Sequence, residues 1–389
     1  MSKATFDKTD AKVSANTVSP SKLSPNTVSP SKLSPNIKLN YPLPLTDHPN
    51  VLMAHGSGGR MTAQLIDSLF RTAFDNPDLD TLHDGARLTL PTQRIVMTTD
   101  SFVVHPLFFP GGDIGCLAVN GTVNDLAMCG ARPLYLSVGF IIEEGLAMDT
   151  LWQIVQSMRN AADKANVRIV TGDTKVVERG HGDGLYINTT GIGVLEHQQV
   201  IGPAQVRSGD SVLLFGDIGR HGMAVMAQRE NLRFNSTLES DCAPLAEVVL
   251  ALLNAGIDIH CLRDATRGGL AAVLNEIAVA SGLQIDCEEA AITVNHDVRS
   301  ACEILGFDPL HVANEGCFVA MINPADQQKA LSIMQQHNPI ATIIGSVQET
   351  SVQLTSVQQA TSAIVTLRTS IGGQRILDLP TGELLPRIC

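Results

Sequence analysis

From Val51 onward, apolar runs of strand length alternate with stretches whose apolar positions recur at helical spacing, a pattern that predicts mixed α/β or α+β layers. Strand-like runs cover residues 94–99, 134–141, 167–171 and 185–195, and helical patterns cover 61–73, 114–129 and 151–165. The helix at 114–129 has Asp113 placed as N-cap, with Gly130 and Pro133 as stop signals. A turn-rich junction at 202–210 opens a second half, where 212–215, 318–322 and 341–344 read as strands and 245–255 and 268–280 as helices.

Ahead of the patterned region the periodicity lapses. A ten-residue unit rich in serine and proline begins at Asn16 and repeats at Asn26, and such composition does not build a packed core. The end of the chain, 381–389, has glycine and proline but no sustained period, and it reads as an arm. The expected organisation is a disordered tail at 1–45, a first domain at 46–200, a second α/β domain at 201–375, and a mobile arm at 376–389.

Composition narrows the function classes. A formal charge of −12, from 27 basic and 39 acidic residues, argues against nucleic acid as a partner. No apolar run approaches the roughly 20 residues needed to cross a bilayer, and the first residues lack the marks of a secretory signal, so no membrane association and a cytoplasmic location are expected. The 8 cysteines form no Cys-x-x-Cys pair and the 11 histidines are scattered, which removes the zinc-site and metal-carrier readings. Several cysteines lie among apolar residues and read as small buried hydrophobes. Cys389 differs, because it is the last residue.

Four groups of residues carry candidate chemistry. His55-Gly56-Ser57-Gly58-Gly59, ahead of a helical pattern, suits close approach of backbone N–H groups to phosphate, and it is equally compatible with a plain turn. Asp100 and Asp173 each follow an apolar run, while Asn120 and Asn124, and Gly121 and Asp125, stand at i,i+4 on the helix between them. Carboxylate and amide oxygens are what Mg²⁺ requires, although any one of them alone also reads as a cap or a core hydrogen-bonder. Lys175, two residues past Asp173, offers charge for a phosphate or an activated group, or is a solvated lysine. In the second half, Asp264 ahead of Gly268 and Gly269 reads as a helix cap, and Glu315 at the start of an apolar strand reads as a tunable base.

Taken in order, these segments resemble the carbamoyl dehydratases of NiFe-hydrogenase maturation, the HypE family. That family lies in a superfamily of ATP-using enzymes with aminoimidazole ribonucleotide synthetase and selenophosphate synthetase. The matching text includes Thr98-Thr-Asp-Ser-Phe-Val-Val-His-Pro-Leu-Phe-Phe-Pro-Gly-Gly-Asp-Ile-Gly115, Asn120-Gly-Thr-Val-Asn-Asp-Leu-Ala-Met128, Gly172-Asp-Thr-Lys-Val-Val177, Asp264-Ala-Thr-Arg-Gly-Gly269, Asn314-Glu-Gly316 and Pro386-Arg-Ile-Cys389. The resemblance implies a two-domain aminoimidazole ribonucleotide synthetase-like fold whose first domain pairs with its twin in a homodimer to build a central β-barrel. It implies ATP near the subunit boundary, held by Gly56, Ser57, Gly58 and Gly59, with Asp100, Asp125 and Asp173 for Mg²⁺ and phosphates and Asn120 nearby. Lys175 and Glu315 would serve the dehydration, and Cys389 would carry the substrate.

The implied reaction starts when a carbamoyltransferase, HypF, loads a carboxamide on Cys389. ATP-dependent dehydration then yields a thiocyanate, and the cyanide passes to iron on a HypC–HypD scaffold. Two rivals remain: a sister activity such as selenophosphate synthesis, and a nucleotide-gated adaptor without turnover. The sister enzyme customarily carries a reactive cysteine before its glycine turn, whereas no cysteine precedes Cys116 here.

Overall fold

The glycine turn leads into a helix of three pieces, α1 (Arg60–Leu65), a π-helical stretch (Ile66–Arg71) and α2 (Thr72–Phe74). The computed structural model describes residues 48–57, 59–79, 86, 88–230, 232, 238–349, 364–379, 385 and 387–389. The serine/proline repeat, Gly58 and Pro386 lie outside the described residues.

Next come β1 (Ile95–Phe102), β2 (Phe108–Phe109), β3 (Gly112–Asp113), α3 (Ile114–Met128), β4 (Arg132–Glu143), α4 (Met148–Ala165), β5 (Arg168–Val177) and β6 (Leu185–Val194). Asp113 caps α3 as its position suggests, accepting from Gly115 N and Cys116 N at 2.7 and 3.1 Å. Four strands form one sheet in the order β1-β6-β4-β5, and only β4 and β5 run parallel. α3 covers its inner face and also touches α4, α6 and β8, so almost every position of this helix is buried, Asn120 and Asn124 included. Among the described residues the other face is left uncovered. On it Met97 is 68% exposed and Ile141 46%, more than a covered strand would leave to solvent.

The second half continues with β7 (Ser211–Phe215), α5 (Arg220–Arg229), α6 (Ala246–Asn254), β8 (Ile259–Asp264), α7 (Gly269–Ser281), β9 (Gln284–Glu288), α8 (His296–Leu305), β10 (Phe318–Ile322), α9 (Gln327–His337), β11 (Thr342–Gln348), β12 (Val365–Arg368) and β13 (Gln374–Ile376). Seven strands pair in the order β13-β12-β9-β11-β7-β10-β8. β7 and β10 are buried at every position, which is why each reads as an unbroken apolar run. One apolar cluster spans both halves, from Val119 of α3 to Phe318 of β10. No helix among the described residues is long and apolar enough to cross a membrane.

The fold is the expected mixed α/β arrangement, with local departures. β1 and β5 run on past their apolar runs, so Asp100 and Asp173 lie within strands and not just beyond them. Ladder pairing carries the backbone on: Asp100 faces Thr189, and Asp173 faces Gly139. Asp264 is not a cap but the last residue of β8, and Gly268 in the left-handed conformation starts α7 instead. Among the described residues of this single chain the first sheet does not close into a barrel and ends at β1 and β5, and the expected barrel was one shared between two copies. At the start of the span 376–389 expected as an arm, Ile376 ends β13 and Leu377 N donates to Val365 O at 2.8 Å.

Candidate active site

Asp100, Asp125, Asp264 and Glu315 converge where β1, α3, β8 and the start of β10 meet, close enough that their charges act on one another. Thr98 Oγ1 donates to Asp125 Oδ2 at 2.9 Å, and Arg263 and Arg267 supply the opposing charge. Burial pushes the carboxyls of Asp100 and Asp125 up and that of Asp264 to about 7. Glu315, only 4% exposed, is pushed well above the usual carboxylate range by burial, with Asp264, Asp241, Asp100 and Asp125 adding to it. A carboxyl raised in this way is a stronger base than a solvated one.

The native state therefore holds the Asp264 proton between about pH 4, where the unfolded carboxyl ionises, and about pH 7. The unfolded chain has lost it over that window, so this group's contribution to stability falls as pH rises. Asp264→Asn should melt above the wild type at pH 8, and the gap should close by about pH 4. Thermal melts of the ligand-free protein at the two pH values check this.

Glu315 is held through its backbone. Both carboxylate oxygens of Asp241 accept from Glu315 N, at 3.1 and 3.2 Å, and one accepts from Gly316 N at 2.9 Å. Asn124 Nδ2 donates to Glu315 O at 3.3 Å, while its Oδ1 accepts from Leu245 N at 2.8 Å. Gly316 is required by close approach, since a Cβ there would stand 1.9 Å from Asp241 O. Asn120, also on α3, donates to Cys242 Sγ, and its Oδ1 is a buried acceptor without a hydrogen-bond partner.

The last residues reach this cluster. Val103 N donates to Cys389 O at 3.2 Å, and His105 N to Arg387 O at 3.2 Å. Arg387 pairs with Asp183, and Ile388 is 3% exposed in the shared core. Burial, then the charge of Glu315, raises the Cys389 thiol far above its ordinary range, so in this position it is a thiol and not a thiolate.

Asp173 and Lys175 stand elsewhere. Lys175 Nζ meets both oxygens of Asp173, at 2.9 and 2.7 Å, and this largely exposed pair holds the aspartate below its usual range. Along the sheet register Asp100 shares a row with Gly172, three strand spacings away, on the order of 14 Å. Asp173 and Lys175 point to the open face, opposite to Asp100. The glycine turn joins this second group: a Cβ on Gly56 would meet Val176 N at 2.5 Å, so only glycine lets the turn lie against β5. Beside them is a cavity of about 210 Å³ lined by Ile66, Phe70, Phe74, Phe140, Gly172 and Asp173.

Of the residues singled out by sequence, Asp100, Asn120, Asp125, Glu315 and Cys389 thus gather in one place. Gly56, Ser57, Gly59, Asp173 and Lys175 form another. Asp264, Asp241 and Arg267 join the first group without having been selected from sequence as chemical residues. Among the described residues no three His, Cys, Asp or Glu side chains form a ready metal cage. The hard oxygens of Asp100, Asp125 and Asp264 still fit Mg²⁺, which usually takes one or two carboxylates and completes its shell with phosphate and water.

Both halves of the chain match the AIR synthase related proteins. Their N-terminal domain matches residues 82–195 and their C-terminal domain residues 207–356. Within that class the chain belongs to the carbamoyl dehydratase HypE family. It is 48% identical over 358 residues to carbamoyl dehydratase HypE of Cupriavidus necator, covering 91% of this chain and 99% of that protein. The Escherichia coli K12 protein of the same name is 44% identical over 348 residues, 87% of this chain and 99% of its own length. Among solved structures, hydrogenase maturation protein HypE in complex with ATP superposes with a TM-score of 0.83 at 47% identity, covering 87% of this chain and 99% of that one. A HypE–HypF complex matches with a TM-score of 0.69 at 47% identity, over 81% of this chain and 99% of the other.

Proposed function

We propose that this protein uses ATP to dehydrate an S-carbamoyl group on Cys389 to a thiocyanate, the source of a cyanide ligand for hydrogenase iron. The observation that carries the reading is the arrival of the terminal cysteine beside the buried Glu315, within a cluster of acids. A HypF-type carbamoyltransferase loads Cys389, and a HypC–HypD-type scaffold receives the product.

ATP supplies the phosphoryl group that turns the carboxamide oxygen into a leaving group, and Mg²⁺ offsets phosphate charge. Asp100, Asp125 and Asp264 would hold the metal, and the free Oδ1 of Asn120 accepts a carboxamide N–H, keeping the group oriented. In its ionised form Glu315, made more basic by its burial, takes an amide proton as phosphate departs, and Lys175 steadies the developing negative charge.

Asp173, Lys175 and the glycine turn come from a second copy. What supports a homodimer is the open, partly apolar face of the first sheet and the separation of the two residue groups within one chain. The cavity beside Asp173 suits the nucleotide base, with phosphates running toward the turn and the start of α1.

Cys389→Ser keeps the nucleotide site and removes the carrier. Carbamoyl-dependent ATP hydrolysis, measured with the transferase and carbamoyl phosphate present, should fall to background. Turnover at the wild-type rate would exclude Cys389 as the carrier.

A further inference from the structure

A carrier tail has to leave for loading and return for dehydration, so something in the fold must set where it rests. Resting on the reading above, we propose that His221 is a positioning residue that latches the tail through the Ile388 carbonyl and so presents Cys389 to Glu315.

His221 lies on α5, fully buried, 167 positions before its tail partner. Its Nε2 is 2.9 Å from Ile388 O and its Nδ1 is 2.8 Å from Ser240 Oγ. A carbonyl only accepts, so Nε2 carries the proton and Nδ1 accepts from the Ser240 hydroxyl. Ser240 Oγ accepts in turn from Cys242 N at 3.1 Å, which fixes the tautomer from both sides. The ring of Phe109 closes the site edge-on, 5.2 Å between centroids. Burial holds the His221 pKa at about 4, so the ring is neutral at working pH.

The segment that orients His221 also orients the base. Ser240 bonds the imidazole, and its neighbour Asp241 bonds Glu315 N and Gly316 N. Carrier and base are therefore set by adjacent residues of one loop. The other tail contacts fall on its flanks: Arg229 donates to Arg387 O at 2.8 Å and Val103 N to Cys389 O. Departure of the tail would leave a buried N–H without an acceptor, which biases the tail towards its docked position.

The test uses His221→Leu, which removes the donor, and His221→Gln, whose amide N–H stands near the place of Nε2. The first readout is iodoacetamide alkylation of Cys389 in the protein alone, scored by peptide mass against the exposed Cys129. Undocking returns the thiol to an ordinary environment, so His221→Leu should react about tenfold faster at Cys389, with His221→Gln close to wild type. The second readout is the fate of a loaded carbamoyl group. His221→Leu should load at least as fast as wild type and dehydrate more slowly, with Gln restoring dehydration. Should the Leu variant fail to fold, Ser240→Ala frees the tautomer and should raise Cys389 alkylation above wild type. Unchanged Cys389 alkylation in folded His221→Leu, or in Ser240→Ala where the Leu variant does not fold, overturns the latch, whatever the dehydration result. Wild-type protein that loads but never dehydrates overturns the functional reading instead, and the alkylation comparison still decides the latch.

Discussion

Glu315→Gln should load carbamoyl on Cys389 normally and then stall, with dehydration slowed about 10²–10⁴-fold, the range that a positioned base contributes. Glutamine keeps the volume and the backbone grip of Asp241 and Asn124 on this residue, so the loss falls on proton transfer and not on folding. Burial and the charges of Asp264 and Asp241 disfavour an ionised Glu315, a cost that the neutral amide lacks; the variant should be at least as stable as wild type near neutral pH. Intact mass after loading separates the cases. An accumulating carbamoyl adduct is expected, and a normal yield of nitrile would remove Glu315 from the mechanism.

The second large effect concerns the two separated groups of residues. If each site takes Asp100 from one protomer and Lys175 from its partner, Asp100→Asn and Lys175→Ala homodimers are both inactive, yet their mixture is not. Random pairing on co-expression makes half the dimers mixed, and one of the two sites in each mixed dimer is intact, so about a quarter of wild-type activity returns. Sites built within one protomer give no recovery. Differently tagged copies and a two-step purification isolate the mixed dimer for the assay.

Much of this architecture was legible because burial leaves strong patterns. β10 is covered at every position, β4 and β6 bury one face under β-branched and apolar residues, and α3 has its cap and its stop signals in the text. The terminal cysteine was legible by position alone. What local pattern could not supply is pairing. Asp264 precedes two glycines and reads as a cap; only its place opposite Phe318 in the β8–β10 ladder brings it next to Glu315. The separation of Asp173 from Asp100 follows from the order β1-β6-β4-β5, in which strands distant in sequence interleave. Short strands such as β9, with alternating charged positions and few apolar ones, gave too little signal to find. His221 and Asp241 carry no motif, and their roles exist only through partners 167 and 74 positions away.

The most direct test of the account is the mass of the peptide bearing Cys389 after incubation with carbamoyl phosphate, the partner transferase and Mg·ATP. The account predicts a carbamoyl adduct on that sulfur which loses one water only when hydrolysable ATP is present. An adduct that persists unchanged with ATP, or a Cys389 never loaded by a demonstrably active transferase, would contradict it.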